Sequence, residues 1–348
     1  MSEVHLGCPP RFSGLYVSRF SVSSRPLGTS AGSDGRDECG GVCEQVASRS
    51  SSCDCGSPDA VTVDEDGDLI LDRRRRNRER SDHVLAVQHG ITSSLRSVGL
   101  QVWKAALLLT DFVLHKSFTS SEFNGVTAIE IGAGTGLVGL ALARVAQKVF
   151  ITDRGSDILD NCLANVQLNS SILKIDEAKT YVRELNWKMS WPPPVATCNP
   201  SDPSSRYLWS RSEIEAAEEG TALFAADVIY SDDLTDLFFG TAKKLMSRGA
   251  AKVLYLTLEK RYNFSLDELD VVANGYKHFR SFFTVQDVLG LSLYNPLFAE
   301  SGALDVTTCR PDFVGEQMDL TEVPQYIREY DRGKDLEMWK IMYNPNPE

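Results

Sequence analysis

The chain has 348 residues, 42% of them hydrophobic, enough for one large α/β domain with flexible additions. Lys and Arg total 36 against 48 Asp and Glu, a formal net charge of −12, which argues against a nucleic-acid-coating surface and suits a basic partner. The apolar stretches Val102 to Val113 and Leu137 to Ala146 are too broken or short to span a membrane, and no secretory signal pattern leads the chain, so a soluble protein in a reducing compartment is expected.

Residues 1–80 are rich in Ser, Gly, Asp and Arg without helical or strand periodicity, and are expected to be a mostly disordered extension. Five of the eight cysteines (Cys8, Cys39, Cys43, Cys53, Cys55) lie there and are expected to be free thiols. Cys39, Cys43, Cys53 and Cys55 lack the paired two-residue knuckles of common zinc sites, so no metal is expected. The acidic run Asp64, Glu65, Asp66, Asp68 precedes Arg73 to Arg76, Arg78 and Arg80, a block that reads as a solvated linker or a nuclear import signal. The nucleus, the cytoplasm or both is the expected location.

The segment 81–348 is expected to form the folded domain. Val102, Ala106, Leu109 and Val113 recur at helical spacing, predicting a helix ahead of the core. Strands and helices then alternate as strand 126–131, helix 137–146, strand 149–152, helix 157–168 and strand 180–185, a parallel, doubly wound pattern. Prolines 192, 193, 194, 200 and 203 mark a surface-exposed loop insertion over 189–220, with a short helix near 212–219. Strand 223–229, helix 234–246, strand 252–258, helix 266–273, strand 279–285 and a closing strand 336–342 follow. Asp232 or Asp233 is expected to cap the helix after strand 223–229, or to attract a basic substrate.

The most informative local pattern is Glu130-Ile131-Gly132-Ala133-Gly134-Thr135-Gly136, between a β-branched strand and a helix. Glycines there permit positive φ and close ligand approach, so the loop is expected to bind a cofactor. Gly134, Gly136 and Gly139 also satisfy the dinucleotide pattern, leaving nicotinamide or flavin open on glycines alone. Glu130 would repel a pyrophosphate but can pair with a cationic amino-acid moiety or orient the loop, which favours S-adenosyl-L-methionine. Asp153, ending the next strand, can accept hydrogen bonds from both ribose hydroxyls in either cofactor class.

Gly99-Leu100-Gln101-Val102-Trp103, Leu185-Asn186-Trp187, Ala226-Asp227-Val228-Ile229-Tyr230 and Glu259-Lys260-Arg261-Tyr262 add more specific marks. With them the chain, from about Gly99 to Tyr343, resembles the seven-β-strand methyltransferases and, within these, the family 16 protein-lysine methyltransferases. The resemblance implies a Rossmann-like seven-stranded α/β sheet behind the disordered extension. It further implies S-adenosylmethionine contacts from Trp103, Gly132, Ala133, Gly134, Asp153, Trp187 and Ala226. Asp227 and Tyr230 look like the family's Asp-x-x-Tyr motif. They sit at a strand's C-terminal end, where open α/β sheets bind ligands, and are the expected catalytic pair that orients the amine.

The implied activity is methylation of a lysine on a partner protein, with chaperones and nuclear proteins among the candidates, and with no membrane or direct nucleic-acid partner. Two alternatives share the fold. One is a nucleic-acid amino-methyltransferase, although Val228 and Ile229 replace the prolines such enzymes commonly carry; the other is a non-catalytic cofactor-binding scaffold.

Overall fold

The computed structural model describes residues 14–27, 83–90, 95–173, 175–195, 205–265, 269–286, 292–293 and 311–344. The N-terminal cysteines, the acidic run and the arginine cluster lie outside these residues. In chain order the elements are β1 (Leu15–Val22), β2 (His83–Gly90), α1 (Lys104–Thr119), β3 (Thr127–Ile131), α2 (Leu137–Leu142), β4 (Lys148–Asp153) and α3 (Ser156–Leu173). There follow β5 (Thr180–Glu184), α4 (Arg211–Glu218), β6 (Ala222–Ala226), α5 (Asp232–Met246), β7 (Val253–Glu259), β8 (Asn263–Ser265) and β9 (Asp270–Val272). The last are α6 (Asn274–Arg280), β10 (Phe283–Gln286), β11 (Ser292–Leu293), β12 (Phe313–Gln317) and β13 (Leu336–Tyr343).

The main sheet runs β11-β10-β12-β13-β7-β6-β3-β4-β5. Six of these strands, β13 to β5 in that order, are expected ones in a doubly wound sheet, and β10 falls at the expected strand 279–285; β12, between β10 and β13, and β11 at the edge were not expected. Strands β5, β4, β3, β6 and β7 are parallel, and β13 lies antiparallel between β7 and β12. Successive side chains on a strand face opposite ways, which splits the core in two. Ala128, Val149, Ile151 and Phe224 join Leu108, Phe112 and Val138 from α1 and α2 in one cluster. Ile129, Ile131, Phe150, Leu254 and Leu256 join Phe238, Phe239 and Ala217 from α5 and α4 in the other.

Several expectations are corrected. Within the extension expected to be disordered, Leu15–Val22 forms β1, pairing antiparallel with β2 along its whole length and burying Phe20 and Val22. Helix α2 stops at Leu142, short of 146, and β6 stops at Ala226 because Asp227 adopts a φ of +56°. The described part of the helix expected over 266–273 is strand β9, paired with β8; residues 266–268 lie outside the described set. Phe279 lies in the last turn of α6 instead of starting a strand, since short apolar runs carry no period that separates the two. Neither Asp232 nor Asp233 caps α5: Ser231 holds that position, and both aspartates sit in the first turn, where the helix dipole favours them.

The 189–220 insertion is also less exposed than expected. Trp191 and Trp209 are buried, Trp209 stacks on Phe150 at 5.0 Å between centroids, and its indole N–H donates to the Glu184 carbonyl at 2.8 Å. Helix α4 follows with a capping box between Ser210 and Glu213.

The β1–β2 hairpin is tied to α3 by side chains that imitate a neighbouring strand. Asn165 and Asn169, one turn apart, each both accept from and donate to the β2 backbone. Asn165 Oδ1 takes the Gln88 N–H at 2.6 Å, and Asn169 Oδ1 takes the Ala86 N–H at 2.9 Å. Their amide groups donate to the Gln88 and Ala86 carbonyls, and Asn165 also donates to the Thr135 carbonyl of the glycine loop at 2.9 Å. Replacing Asn165 with Ala strands buried backbone groups. Urea unfolding of Asn165→Ala should show a loss of about 2–3 kcal/mol, whereas an unchanged midpoint would remove this anchoring role.

Candidate functional site

The C-terminal ends of β3, β4 and β6 open onto a cavity of about 240 Å³. Ten of its lining residues matter most. Trp103, Gly132, Ala133, Gly134, Asp153, Trp187, Ala226, Asp227 and Tyr230, all expected from sequence, are among them, and Arg261 is the tenth. A second cavity of about 310 Å³ shares Asp153, Arg154, Trp187 and Tyr230 with the first and continues along Asn186, Lys188 and Leu234.

The glycine loop is shaped by close approach. A Cβ on Gly132, whose φ is +70°, would lie 2.8 Å from Val228 Cγ1 and 3.0 Å from the Trp187 ring. One on Gly134 would lie 2.9 Å from the Gly99 carbonyl oxygen, so the segment before α1 closes directly over the loop. Asp153 is aimed at this loop. Its Oδ2 accepts the Gly134 N–H at 2.8 Å and its Oδ1 the Arg154 N–H at 2.7 Å; burial raises its pKa against these bonds.

Two expected cofactor residues do not reach the cavity. Glu130 is buried beneath the loop, where its Oε2 accepts the Gly139 N–H at 2.8 Å. Burial pushes its pKa to about 8 against the hydrogen bonds from the first turn of α2. Of the two roles weighed for it, orientation of the loop and α2 is the one it fills. Gly136, at φ +76°, occupies the N-cap of α2 and donates its N–H to Ala133 at 2.8 Å; it shapes the loop from behind.

Asp227 and Tyr230, the pair expected to be catalytic, are brought together with a residue to which the sequence assigned no role. Asp227 follows β6 in left-handed geometry, fixed by its N–H bond to Thr257 at 2.8 Å, and its side chain is 1% exposed. Arg261, just beyond β7, donates from Nη2 to Asp227 Oδ2 at 2.6 Å and lies 5.3 Å from the Trp103 ring centroid. Among the described residues, Asp227 Oδ1 and Arg261 Nη1 are buried without a hydrogen-bond partner. Burial lifts the Asp227 pKa to about 6, with Arg261 opposing the rise. Tyr230 is 40% exposed at the junction of the two cavities, its pKa raised by burial of its inner part. Arg261 was within a segment marked by resemblance, but only a fold that sets β7 beside β6 makes it the partner of Asp227. Gly99, Gln101 and Val98 likewise lay in or beside a marked segment and prove to be cavity wall.

The residues fit S-adenosylmethionine. A carboxylate with remaining lone pairs stands at the end of β4 for ribose hydroxyls, bare glycine backbone forms the floor, and Ile158 and two tryptophans provide apolar walls. No group of three or more His, Cys, Asp or Glu that could hold a metal occurs among the described residues.

Residues 80–202 match the model of the lysine methyltransferase family. The chain is 37% identical over 264 residues to methyltransferase-like protein 22 of Homo sapiens, covering 75% of this chain and 58% of that protein. It is 34% identical over 288 residues to the Mus musculus protein of the same name, covering 82% and 65%. Protein-lysine N-methyltransferase rrg1 of Schizosaccharomyces pombe is 25% identical over 235 residues, covering 67% and 65%. The chain thus spans less than two thirds of the length of these relatives. The match to that family thus covers the part of the chain that carries the glycine loop, Asp153 and Trp187.

Proposed function

We propose that this chain transfers a methyl group from S-adenosylmethionine to the side-chain amine of a lysine on another protein. The observation that carries this reading is the buried, unpartnered Oδ1 of Asp227, a residue that lines the glycine-loop cavity together with Tyr230. It is supported by the family match and by similarity to proteins named as protein-lysine methyltransferases.

Trp103, Gly132, Ala133, Gly134, Asp153 and Ala226 would hold the cofactor, which supplies an electrophilic sulfonium methyl when bound. The chain's own residues must then select and orient the nucleophile. A free lysine amine has a pKa of about 10.4 and carries no available lone pair while protonated. Asp227 alone would stabilise the ammonium. Arg261 changes this: the Asp227–Arg261 pair is close to neutral, so the acceptor nitrogen meets an oriented hydrogen-bond acceptor without net negative charge. Oδ1 can then take one N–H of the neutral amine while Tyr230 borders it, leaving the lone pair directed into the cavity. The acidic chain and the absence of prolines after Asp227 make nucleic acid the poorer acceptor.

Labelled-methyl transfer into cell extract should give protease-sensitive label; nuclease-sensitive label would replace this reading with the nucleic-acid one. Asp227→Ala should reduce transfer about 100-fold or more, while calorimetry with S-adenosylhomocysteine shows affinity kept within about threefold. Full activity in that variant would eliminate Asp227 as the orienting group.

A pH profile separates the roles of the pair. With a pKa of about 6, Asp227 is ionised above that value, so the wild-type rate should fall as pH drops through it. Arg261→Met removes the charge that opposes protonation and should move this acidic limb to higher pH. A limb left in place would show that Arg261 does not act on Asp227.

A further inference from the structure

The β8–β9 hairpin carries an apolar face that is exposed among the described residues. Phe264 and Val271 are directly opposite in its register, hence on one face, and are 60% and 58% exposed. Tyr262 and Leu269, each two residues away, are 50% and 76% exposed. Four of the eleven exposed large hydrophobic side chains of the described residues thus fall within ten residues, and clustered exposure of this kind marks a binding surface more often than chance.

The position of the hairpin says what it meets. Arg261, in the cavity wall, immediately precedes it. Its two ends are pinned together, because Lys260 Nζ lies 4.6 Å from the ring centroid of Tyr276 on α6 and pairs with Glu337 at 2.5 Å. The hairpin therefore rises from the rim of the site. Carboxylates border it, beside the basic last turn of α6 with Lys277, His278 and Arg280. Asp270 is exposed on β9, and Asp232, in the exposed first turn of α5, lies beside Gly275 at the start of α6. A second copy of this chain, with its own charge of −12, would be repelled here, whereas a lysine-bearing segment would be attracted.

We propose that this hairpin is the docking surface for the protein that carries the acceptor lysine. Its apolar face receives an apolar side chain of a basic segment, and the lysine of that segment enters the adjoining cavity. The proposal rests on the protein-lysine reading above and adds the surface by which the substrate is chosen.

The test is Phe264→Ser/Val271→Ser, at exposed positions outside the catalytic and cofactor residues. Labelled-methyl transfer from S-adenosylmethionine is measured against increasing concentrations of cell-extract protein. The half-saturating concentration should rise about tenfold while the plateau rate stays within about twofold. Asp270→Lys should move it the same way by about threefold. The circular-dichroism melt and S-adenosylhomocysteine affinity should stay at wild-type values. An unchanged half-saturation, or a lowered plateau alone, overturns the docking role while the wild-type label leaves the methyltransferase reading standing. No label with the wild type overturns both. A double variant faster than wild type would place another segment of this chain on the hairpin, and a wild-type dimer that the variant dissolves in sedimentation would place a second copy there; either result overturns the proposal.

Discussion

The carboxylate of Asp227, buried at the point where β6 breaks, is the constraint around which the site is arranged. An L-residue at a φ of +56° costs about 1–2 kcal/mol, and an ionised carboxylate removed from water costs more unless it is paired. The bond from its N–H to Thr257 holds the backbone reversal, and Arg261 supplies the pairing from the next strand. The reversal also turns Val228 back toward the loop, where a bare Gly132 is needed to receive it with Trp187. The glycine loop and the acceptor side of the site are therefore one packing solution, and a change at either has to be accommodated by the other.

That solution is braced from parts of the chain distant in sequence. Asn165 joins β2 to the Thr135 carbonyl, so the N-terminal hairpin bears on the loop from behind α3. On α1, buried Asp111 accepts the N–H groups of Tyr326 and Ile327 together with the Tyr330 hydroxyl and Arg332. These bonds fasten the segment before β13 to the helix whose N-cap is Trp103. Both braces use buried polar side chains that make several hydrogen bonds each, which fixes position more sharply than apolar packing alone.

The central alternation from β3 to α3 was legible in the sequence because each element carries its own period and the parallel strands are buried on both faces. Strand β1 was not. Its partner β2 lies more than sixty residues on, and Ser18, Arg19 and Ser21 interleave with its apolar residues. Trp209 gave no sign of being core, since its contact with Phe150 depends on how the insertion folds back over the sheet. At the site, residue types foretold the cavity wall well, and they failed where a role depends on direction. Glu130 has the right chemistry for a cationic ligand but points to α2; Arg261 acquires its role only from the adjacency of β6 and β7.

The unpartnered Oδ1 of Asp227 and Nη1 of Arg261 support the role proposed for this pair. Each buried polar atom left without a partner costs about 1–3 kcal/mol, and a pair serving stability alone would turn those atoms toward each other or be replaced by apolar groups. Here a single bond joins Oδ2 to Nη2, and the second acceptor and second donor are held back from a bidentate match. The arrangement leaves one acceptor and one donor unsatisfied on residues that line the cavity. In the proposed reading, an N–H of the lysine amine is what Oδ1 receives.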